Sequence, residues 1–221
     1  MPRRLSPPLS AEVSALTVNR LSIYLRSLRR LQEEGETRVS SERLARRFNL
    51  SSAQIRKDLA HFGEFGVRGV GYDVAELAER LAALLGLDRV HRVAIVGMGN
   101  IGTALARSPA FNSGSFQVVA GFDNDPAKIG RTVGGVLVRS TDDLARGIAE
   151  AAVGIGVIAV PGDGAAWAYS ELAAAGVCAV LNFSNAAIPS LPHCRVKNVD
   201  LRVHLEELAF FLQRTPQKPS V

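Results

Sequence analysis

Apolar residues recur at helical spacing in the first third of the chain and predict three helices. The first is predicted over residues 14–34, where apolar side chains stand three or four positions apart, and Gly35 lies where it would end. Two shorter helices are predicted over residues 42–48 and 53–62, each preceded by serines that can cap its first turn. Only the turn at residues 49–51 separates them, and this arrangement is typical of a helix-turn-helix.

Glycines alternate with apolar residues directly after the third helix, between Gly63 and Tyr72. This alternation predicts a small β-hairpin, or wing, with Arg68 near its tip. The next apolar repeat predicts an amphipathic helix that leads out of the region. We therefore expect a winged helix-turn-helix domain over residues 13–73, followed by a linker helix at residues 74–90.

The second half of the chain alternates short apolar runs with helical patterns. Parallel strands that are buried on both faces have such sequences, and helices connect them. The pattern predicts an α/β domain with a doubly wound parallel sheet of the Rossmann type over residues 91–197. The predicted strands lie at residues 92–96, 116–122, 153–160 and 177–181, with a helix at 165–175.

The composition is that of a folded chain. Hydrophobic residues make up 47% of the 221 positions, which excludes wholesale disorder. No apolar run approaches the roughly 20 residues that a membrane helix needs, and the basic N-terminus lacks the apolar stretch of a signal peptide. We therefore expect a cytoplasmic protein with no membrane partner, and flexible tails at residues 1–12 and 214–221.

The histidines and cysteines indicate neither a metal site nor a catalytic site. The four histidines and two cysteines are not spaced as metal ligands. Cys178 and Cys194 form no Cys-x-x-Cys pair, and we expect both to be buried thiols in a reducing compartment.

Positive charge is concentrated at one end of the chain. Residues 1–72 contain 13 Lys and Arg against 7 Asp and Glu, a net charge of +6, whereas the remainder has a net charge of −1. A phosphate-binding surface needs this bias, because neutralising phosphates releases counterions and drives association. On charge alone, a merely basic solvated surface remains the alternative.

The third predicted helix favours DNA as the partner. Its outward face carries Gln54, Arg56 and Lys57, and glutamine can pair with adenine as arginine can with guanine. Arg46 and Arg47 on the preceding helix are placed to hold backbone phosphates. The residues expected to contact double-stranded DNA are Arg46, Arg47, Ser51, Ser52, Gln54, Arg56, Lys57 and Arg68.

A dinucleotide-binding fingerprint, Gly97-x-Gly99-x-x-Gly102, joins the first predicted strand to a helix. Gly97 permits the tight turn, Gly99 lets the backbone approach a pyrophosphate, and Gly102 allows the helix to pack closely on the strand. The N-terminus of the helix would face the phosphates. The expected cofactor loop comprises Gly97, Met98, Gly99, Asn100, Ile101 and Gly102.

Asp123 follows the second strand of this domain, 21 residues after Gly102. A carboxylate there accepts hydrogen bonds from the adenosine ribose and repels a 2′-phosphate, so NADH and NAD⁺ are expected rather than the phosphorylated forms. The alternative is a Rossmann-like domain that has lost its ligand or binds another nucleotide-containing cofactor, such as coenzyme A.

The last predicted helix, residues 198–213, is apolar over more than one face. Such a helix must be buried on more than one side. Packing within its own chain is one interpretation. Insertion into a second copy of the chain is the favoured one, because an operator-binding protein usually needs a two-fold dimer.

Taken together, these residues resemble the Rex family of redox-sensing transcriptional repressors over about residues 17–212. Few families join this winged helix to this Rossmann domain. The motifs that carry the resemblance are Gln54-Ile-Arg-Lys-Asp-Leu59, Phe62-Gly-Glu-Phe-Gly66, Arg68-Gly-Val-Gly-Tyr72, the fingerprint, Phe122-Asp-Asn-Asp-Pro126, Lys128-Ile-Gly130, Ile158-Ala-Val-Pro161, Leu181-Asn-Phe183 and Asn198-Val-Asp200.

The resemblance implies a homodimer with a domain-swapped C-terminal helix. Such a repressor binds a palindromic operator when free or with NAD⁺, leaves it when NADH binds, and controls genes of respiration and fermentation. It also implies a recognition helix at residues 52–62 and a wing at 66–72. It adds Lys128, Val160 and Pro161 to the cofactor site, and gives Arg20 and Asp200 a role in coupling domain orientation to the cofactor.

The chain departs from the family pattern at a few positions. Ser108 stands where a tyrosine is usual, and Asn182-Phe-Ser-Asn185 replaces Asn-Phe-Ala-Pro. Gly162 and Gly164 replace residues that are usually not glycine. These changes lie near the expected nicotinamide end of the site, where they bear on the discrimination of NADH from NAD⁺.

Two other functions compete with an allosteric repressor. An NAD-dependent dehydrogenase needs a substrate domain and a general acid or base near the nicotinamide. After residue 92 little more than one Rossmann domain remains, and its histidines, His193 and His204, lie in no recognisable catalytic context. We therefore expect no enzyme activity. The third possibility is a DNA-binding protein that senses another nucleotide.

Overall fold

The computed structural model describes residues 13–48, 50–63, 65–66 and 70–213. Both predicted tails lie outside the described residues, as does the predicted wing tip with Arg68. The chain divides into two compact units, with the boundary between Arg89 and Val90.

The described part of the first unit consists of helices and one short ribbon. Ser14 caps the first helix, and Gly35, with a φ of +79°, follows its end. The side chains of Ser51 and Asp73 cap two further helices. The elements are α1 (Ala15–Glu33), β1 (Arg38–Val39), α2 (Ser41–Phe48), α3 (Ser52–Ala60), β2 (Tyr72–Asp73) and α4 (Val74–Leu84).

The helix-turn-helix is confirmed, but two features of this unit were not predicted. Strands β1 and β2 pair as an antiparallel ribbon, and two residues per strand are too few to show periodicity. Helix α4 buries Val74, Leu77 and Leu81 in the same core as the inner face of α1. It is therefore an integral helix of the first unit.

A seven-stranded sheet forms the second unit in the order β5-β6-β4-β3-β7-β8-β9. All neighbouring pairs are parallel except β5 with β6. The strands are β3 (His91–Val96), β4 (Phe116–Asp123), β5 (Thr132–Val133), β6 (Val136–Ser140), β7 (Ile155–Ile158), β8 (Ala179–Asn182) and β9 (Arg195–Asn198). The helices are α5 (Asn100–Arg107), α6 (Leu144–Glu150), α7 (Gly162–Ala174) and α8 (Leu201–Leu212), with a 3₁₀ turn at Thr141–Asp143.

Both faces of this sheet are covered, as the apolar strand sequences predicted. On β3, Val93 and Ile95 belong to one buried cluster, whereas Ala94 and Val96 belong to another. From β3 the chain first builds one side of the sheet and then crosses to β7 on the other side. Ligands bind where the strand order reverses in this way, beyond the carboxyl ends of the strands.

The sequence missed several elements and misplaced several boundaries; the strand predicted at residues 153–160, for example, is confined to Ile155–Ile158. Strands β5, β6 and β9 and helix α6 were not predicted, because they are short and lack an extended apolar run. The helix predicted to begin at residue 165 begins at Gly162. The sequence did not indicate this start because the first turn contains two glycines, which have low helix propensity. This earlier start matters for the cofactor site.

Candidate cofactor cleft and nucleic-acid interface

The three glycines of the fingerprint occupy the positions that the motif requires. Gly97 has a φ of +95°, and a Cβ there would lie 2.7 Å from the carbonyl carbon of Ala159. A Cβ on Gly102 would overlap the carbonyl oxygen of Gly97. A Cβ on Gly99 would meet nothing within 4 Å. The first two glycines thus close the turn, and Gly99 faces open space where a ligand can approach.

Helix α5 begins at this turn and helix α7 begins beside it, and neither has a side-chain cap. The residue before α5 is Gly99 and the residue before α7 is Pro161, and neither helix has a side chain bonded to its first amides. Helices α1, α3, α4 and α8, in contrast, are each capped by a serine or an aspartate. Uncapped first turns leave backbone N–H groups for an anion, and the helix dipole favours negative charge there.

A cleft of about 850 Å³ opens between these two helix starts. Its volume lies in the range typical of small-molecule and cofactor sites. The predicted cofactor residues that line the cleft are Gly97, Gly99, Asp123, Lys128, Val160 and Pro161.

Asp123 is buried at one end of the cleft, with 5% of its surface exposed. Its carboxylate accepts hydrogen bonds from the amide of Met98 at 2.7 Å, the amide of Asp125 at 2.9 Å and Nζ of Lys128 at 3.1 Å. Burial acts to raise the pKa of Asp123, but these hydrogen bonds outweigh it and hold the pKa below its usual value. The carboxylate is therefore charged at neutral pH.

The other residues of the predicted cofactor loop, Met98, Asn100, Ile101 and Gly102, are not among those that line the cleft. The side chain of Met98 is buried and packs against Gly121, while its amide serves Asp123. Asn100 and Ile101 are exposed on the first turn of α5.

Seven of the thirteen residues that line the cleft were not predicted from the sequence. The missed residues follow the carboxyl ends of strands or lie on the first turns of α7, a position that the fold marks but no local pattern does. Trp167, which is 46% exposed, is the largest of them. The lining residues not predicted are Asn124, Asp125, Thr141, Ala159, Asp163, Gly164 and Trp167.

Two of the departures from the family pattern occupy the same space. A Cβ on Gly162 would overlap Oδ1 of Asn185, so the glycine leaves room for the asparagine. The loop that carries Asn185 is held by Asn182, whose side chain donates to the carbonyl oxygen of Ala186 and accepts from the amide of Ser184. Ser108 stands at the C-terminal end of α5, the end opposite the fingerprint turn.

In the first unit, α3 carries the predicted DNA-contacting face. Lys57 is exposed, and Ser51 caps the helix by accepting a hydrogen bond from the amide of Gln54 at 3.0 Å. The guanidinium of Arg56 donates to Ser41 and Glu42 at 2.8 and 3.0 Å. The side chain predicted to reach guanine therefore lies against α2.

The predicted phosphate contacts on α2 are exposed. Arg46 and Arg47 both lie on the surface, and Arg47 pairs with Glu34 at 2.9 Å. This ion pair is itself exposed and contributes little stability. Arg47 can therefore exchange Glu34 for a phosphate at little cost.

A buried carboxylate, Asp58, ties α3 to α1. It is 4% exposed and accepts from Arg20 at 2.6 and 2.8 Å, from the hydroxyl of Tyr24 at 2.9 Å and from Nε2 of Gln54 at 2.8 Å. Burial acts to raise the pKa of Asp58, but these hydrogen bonds outweigh it and lower the pKa. Burial together with the bond to Asp58 raises the pKa of Tyr24 strongly.

This network fixes the orientation of a predicted base-reading side chain. Because one N–H of the Gln54 amide points at Asp58, its second N–H and its oxygen remain for adenine, which needs one donor and one acceptor. The sequence did not single out Asp58, since its burial depends on how α1 packs.

The two residues predicted to couple the domains lie in different units. Arg20 pairs with Asp58 in the first unit. Asp200 is exposed in the second, where its carboxylate caps α8 by accepting from the amide of Arg202 at 2.9 Å.

Helix α8 is exposed over its whole length. The interpretation that it packs into its own chain is therefore wrong for the described residues. Its apolar side chains have exposures of 49% to 74%. They are Leu201, Val203, Leu205, Leu208, Phe210, Phe211 and Leu212.

Cys178 is exposed and Cys194 is buried, so the expectation of two buried thiols is correct for only one of them. Within the described ranges, no three His, Cys, Asp or Glu residues are grouped as metal ligands. No helix among the described residues has both the length and the apolar character needed to span a membrane.

Two protein-family models match the chain, one over a segment of each unit. A family model described as "Putative DNA-binding protein N-terminus" matches residues 12–60, and one described as "CoA binding domain" matches residues 88–186. Their two matched segments correspond to the helix-turn-helix and to most of the Rossmann sheet.

Relatives align over nearly the whole chain. The redox-sensing transcriptional repressor Rex of Syntrophobacter fumaroxidans is 42% identical over 91% of this chain and 97% of its own length. That of Streptomyces griseus is 44% identical over 93% of this chain and 81% of its own length.

Solved structures show the same architecture. The Rex-family repressor RSP, in complex with NAD⁺ and operator DNA, superposes with a TM-score of 0.87 at 32% identity, covering 93% of this chain and 94% of that chain. Its complex with NADH gives a TM-score of 0.84 at 30% identity, covering 93% and 96%. The chain therefore belongs to the Rex family of redox-sensing transcriptional repressors.

Proposed function

We propose that this protein is a cytoplasmic, DNA-binding transcriptional repressor that senses the ratio of NADH to NAD⁺. It binds a palindromic operator as a homodimer and is released when NADH binds. The observation that carries the proposal is the cleft between the uncapped starts of α5 and α7, with the charged Asp123 at one end. The same chain carries a basic helix-turn-helix in its other unit.

The cleft residues fit a dinucleotide. The first turns of α5 and α7 and the open face of Gly99 would hold the pyrophosphate through backbone amides. Asp123 would accept from a ribose hydroxyl, since three bonds do not exhaust the acceptor positions of a carboxylate. Val160 and Pro161, which lie shortly after β7, also line the cleft.

The charges at the Asp123 end favour the cofactor without a 2′-phosphate. Asp123 and Asp125 both line the cleft, and Lys128 is the cation beside them, 3.1 and 3.7 Å from the two carboxylates. The net charge of these three groups is negative. A 2′-phosphate placed there would be repelled.

The redox signal is the charge of the nicotinamide ring. When bound, the cofactor supplies a ring that is positively charged as NAD⁺ and neutral as NADH. An apolar site for the ring favours NADH, because an unpaired buried charge is costly. NADH can then shift the protein between two arrangements only as far as it binds one better than the other.

Helix α8 supplies the dimer interface in this proposal. The described chain leaves its apolar side chains exposed, and each Leu or Phe that becomes fully buried contributes about 1.5–3 kcal/mol. A second copy of the chain is the occupant that the proposed two-fold operator requires, and we infer that α8 is exchanged between the copies.

The dimer presents two copies of α3 to the operator. A two-fold repressor must place its recognition helices about 34–36 Å apart to enter successive major grooves. Arg20 and Asp200 are proposed to couple this spacing to the cofactor. The residues proposed to contact DNA are Arg46, Arg47, Ser51, Ser52, Gln54, Arg56, Lys57 and Arg68.

Titration of operator binding tests the proposal. Fluorescence anisotropy of the purified protein on a palindromic site from its own promoter is followed during addition of NADH or NAD⁺. Release by NADH but not by NAD⁺ is expected. Tight operator binding that neither NADH nor NAD⁺ changes would favour a sensor of another nucleotide, and adding coenzyme A in the same assay would test that possibility. NADH binding without specific DNA binding would favour an oxidoreductase.

A further inference from the structure

The two cysteines of the chain, 16 residues apart in sequence, are neighbours in the folded sheet. Strands β8 and β9 are parallel, with Ala179 opposite Arg195. The amide of Arg195 donates to the carbonyl oxygen of Cys178 at 2.9 Å, so the backbone of Cys178 is bonded to the residue that directly follows Cys194. Neighbouring strands are about 4.8 Å apart, within the Cα separation of about 4.4–6.8 Å that a disulfide needs.

Both side chains point to the same face of the sheet. Side chains alternate along a strand, so Cys194 shares a face with Val196. Cys178 directly precedes β8, and its thiol reaches the carbonyl oxygen of Gly176 just after α7, a helix that packs on that same face. The charge of Cys178 also contributes to the raised pKa of Cys194, in addition to burial. Cys194, Val180 and Val196 all pack in one apolar cluster. The two thiols therefore lie on one side of the sheet, at the beginning of two adjacent strands.

The two thiols differ in their access to solvent. Cys178 is exposed, and its thiol donates only a long bond of 3.5 Å to the carbonyl oxygen of Gly176. Cys194 is 0% exposed, and its carbonyl oxygen is held by the hydroxyl of Tyr169. Burial raises the pKa of Cys194. A dissolved oxidant therefore reaches Cys178 first, and Cys194 is held in place to react with the product.

We propose that Cys178 and Cys194 form a reversible dithiol–disulfide pair that responds to hydroperoxides. The thiolate of Cys178 attacks one peroxide oxygen, becomes a sulfenic acid and releases water or an alcohol. The sulfur of Cys194 then attacks the sulfur of Cys178, the S–O bond breaks, and the hydroxyl leaves with the thiol proton as water. The two thiols lose two electrons in total, and the peroxide gains them.

The disulfide would lock one edge of the sheet. Strand β9 is the end strand of the described sheet and pairs with β8. Helix α8 begins three residues after β9. A covalent link at the start of β9 restricts its local opening, and so anchors the segment from which α8 departs. This is a redox input separate from the cofactor cleft.

Thiol mapping on the full-length protein tests the proposal. Reduced protein is treated with a small excess of hydrogen peroxide at a temperature well below that at which the protein unfolds. The reaction is quenched, the protein is denatured in acid and alkylated, and its peptides are analysed by mass spectrometry. We expect loss of both free thiols, a linked peptide pair containing Cys178 and Cys194 within one chain, slower amide exchange in β9, and full reversal by dithiothreitol.

The variant Cys178→Ser is the matched control, because the side chain of Cys178 is exposed and belongs to none of the buried apolar clusters. It should leave Cys194 fully alkylatable after peroxide and denaturation. The proposal is overturned if Cys178 of the unsubstituted protein accumulates as sulfinic acid or links two chains while Cys194 stays free. It is equally overturned if the internal disulfide forms only under unfolding conditions.

Discussion

At the residue scale, Asp58 shows how a side chain can serve both stability and recognition. It compensates the charge of Arg20 and orients the amide of Gln54. Gln54 and Asp58 stand four positions apart on α3, so the sequence allowed them to meet. That they meet in a buried site depends on the position of Arg20 and Tyr24 on α1.

Replacing Asp58 with asparagine is expected to destabilise the protein by about 3 kcal/mol at neutral pH, because Arg20 loses its partner. Since the pKa of Asp58 is lowered in the folded protein, its stabilisation is present above about pH 4 and is lost as the pH falls through the lowered pKa. The difference between variant and unsubstituted protein should therefore shrink in acid. Urea titrations at several pH values measure it.

The exposed pair of Glu36 and Arg43 provides the control. Glu36→Gln should cause no measurable loss of stability at any of these pH values, because exposed ion pairs contribute little. A constant difference across the pH range for Asp58→Asn would show that the carboxylate charge is not responsible.

The second prediction at this scale concerns cofactor choice. Asp123→Asn keeps the size of the side chain but removes its negative charge. Lys128 then loses its charged partner at this position. We expect NADH to bind about tenfold or more weakly, in line with about 1.5–3 kcal/mol for a hydrogen bond to a charged group. The preference for NADH over NADPH should narrow. Titration of both cofactors by fluorescence measures this, and an unchanged preference would contradict the ribose role of Asp123.

At the element scale, α3 carries the two kinds of DNA contact proposed above, and these can be separated experimentally. Gln54→Ala is expected to lose discrimination of about 1–3 kcal/mol at one base pair of each half-site, with an unchanged salt dependence. Lys57→Ala is expected to weaken binding to all sequences and to reduce the slope of log K against log salt by about one. Anisotropy titrations on singly substituted operators at several salt concentrations measure both effects.

Each of these variants controls for the other. If Lys57→Ala altered base preference while Gln54→Ala altered only the salt slope, the assignment of the two side chains would be reversed. If neither variant changed binding, α3 would not be the recognition helix.

Helix α8 allows a similar test. Leu208→Asp places a charge among its exposed apolar side chains and is expected to convert the dimer to monomer, with loss of operator binding. Sedimentation velocity measures the oligomeric state. Glu207→Lys, on the same helix, should leave the dimer intact. A dimer that survives Leu208→Asp would place the interface elsewhere.

At the scale of the whole molecule, the proposed function is a coupling between two units. If NADH weakens operator affinity by some factor, operator DNA must weaken NADH affinity by the same factor. Measuring each affinity with and without a saturating amount of the other ligand gives the two factors. Unequal values would show that the assay mixes binding with dissociation of the dimer or another process.

The amino-acid sequence by itself determined the features that depend on local pattern. Helical periodicity and serine caps gave the helix-turn-helix, Gly35 gave the end of the helix before it, and the fingerprint gave the turn between β3 and α5, because each is a short-range steric or hydrogen-bonding requirement.

Only the tertiary structure decided which distant residues meet. It placed Trp167 and Asp125 in the cleft, brought Arg20 to Asp58, bonded the amide of Arg195 to the carbonyl oxygen of Cys178 and left α8 exposed. These outcomes depend on strand order, register and helix packing. Such long-range arrangements are fixed by burial of the whole core and leave no periodic trace in the chain.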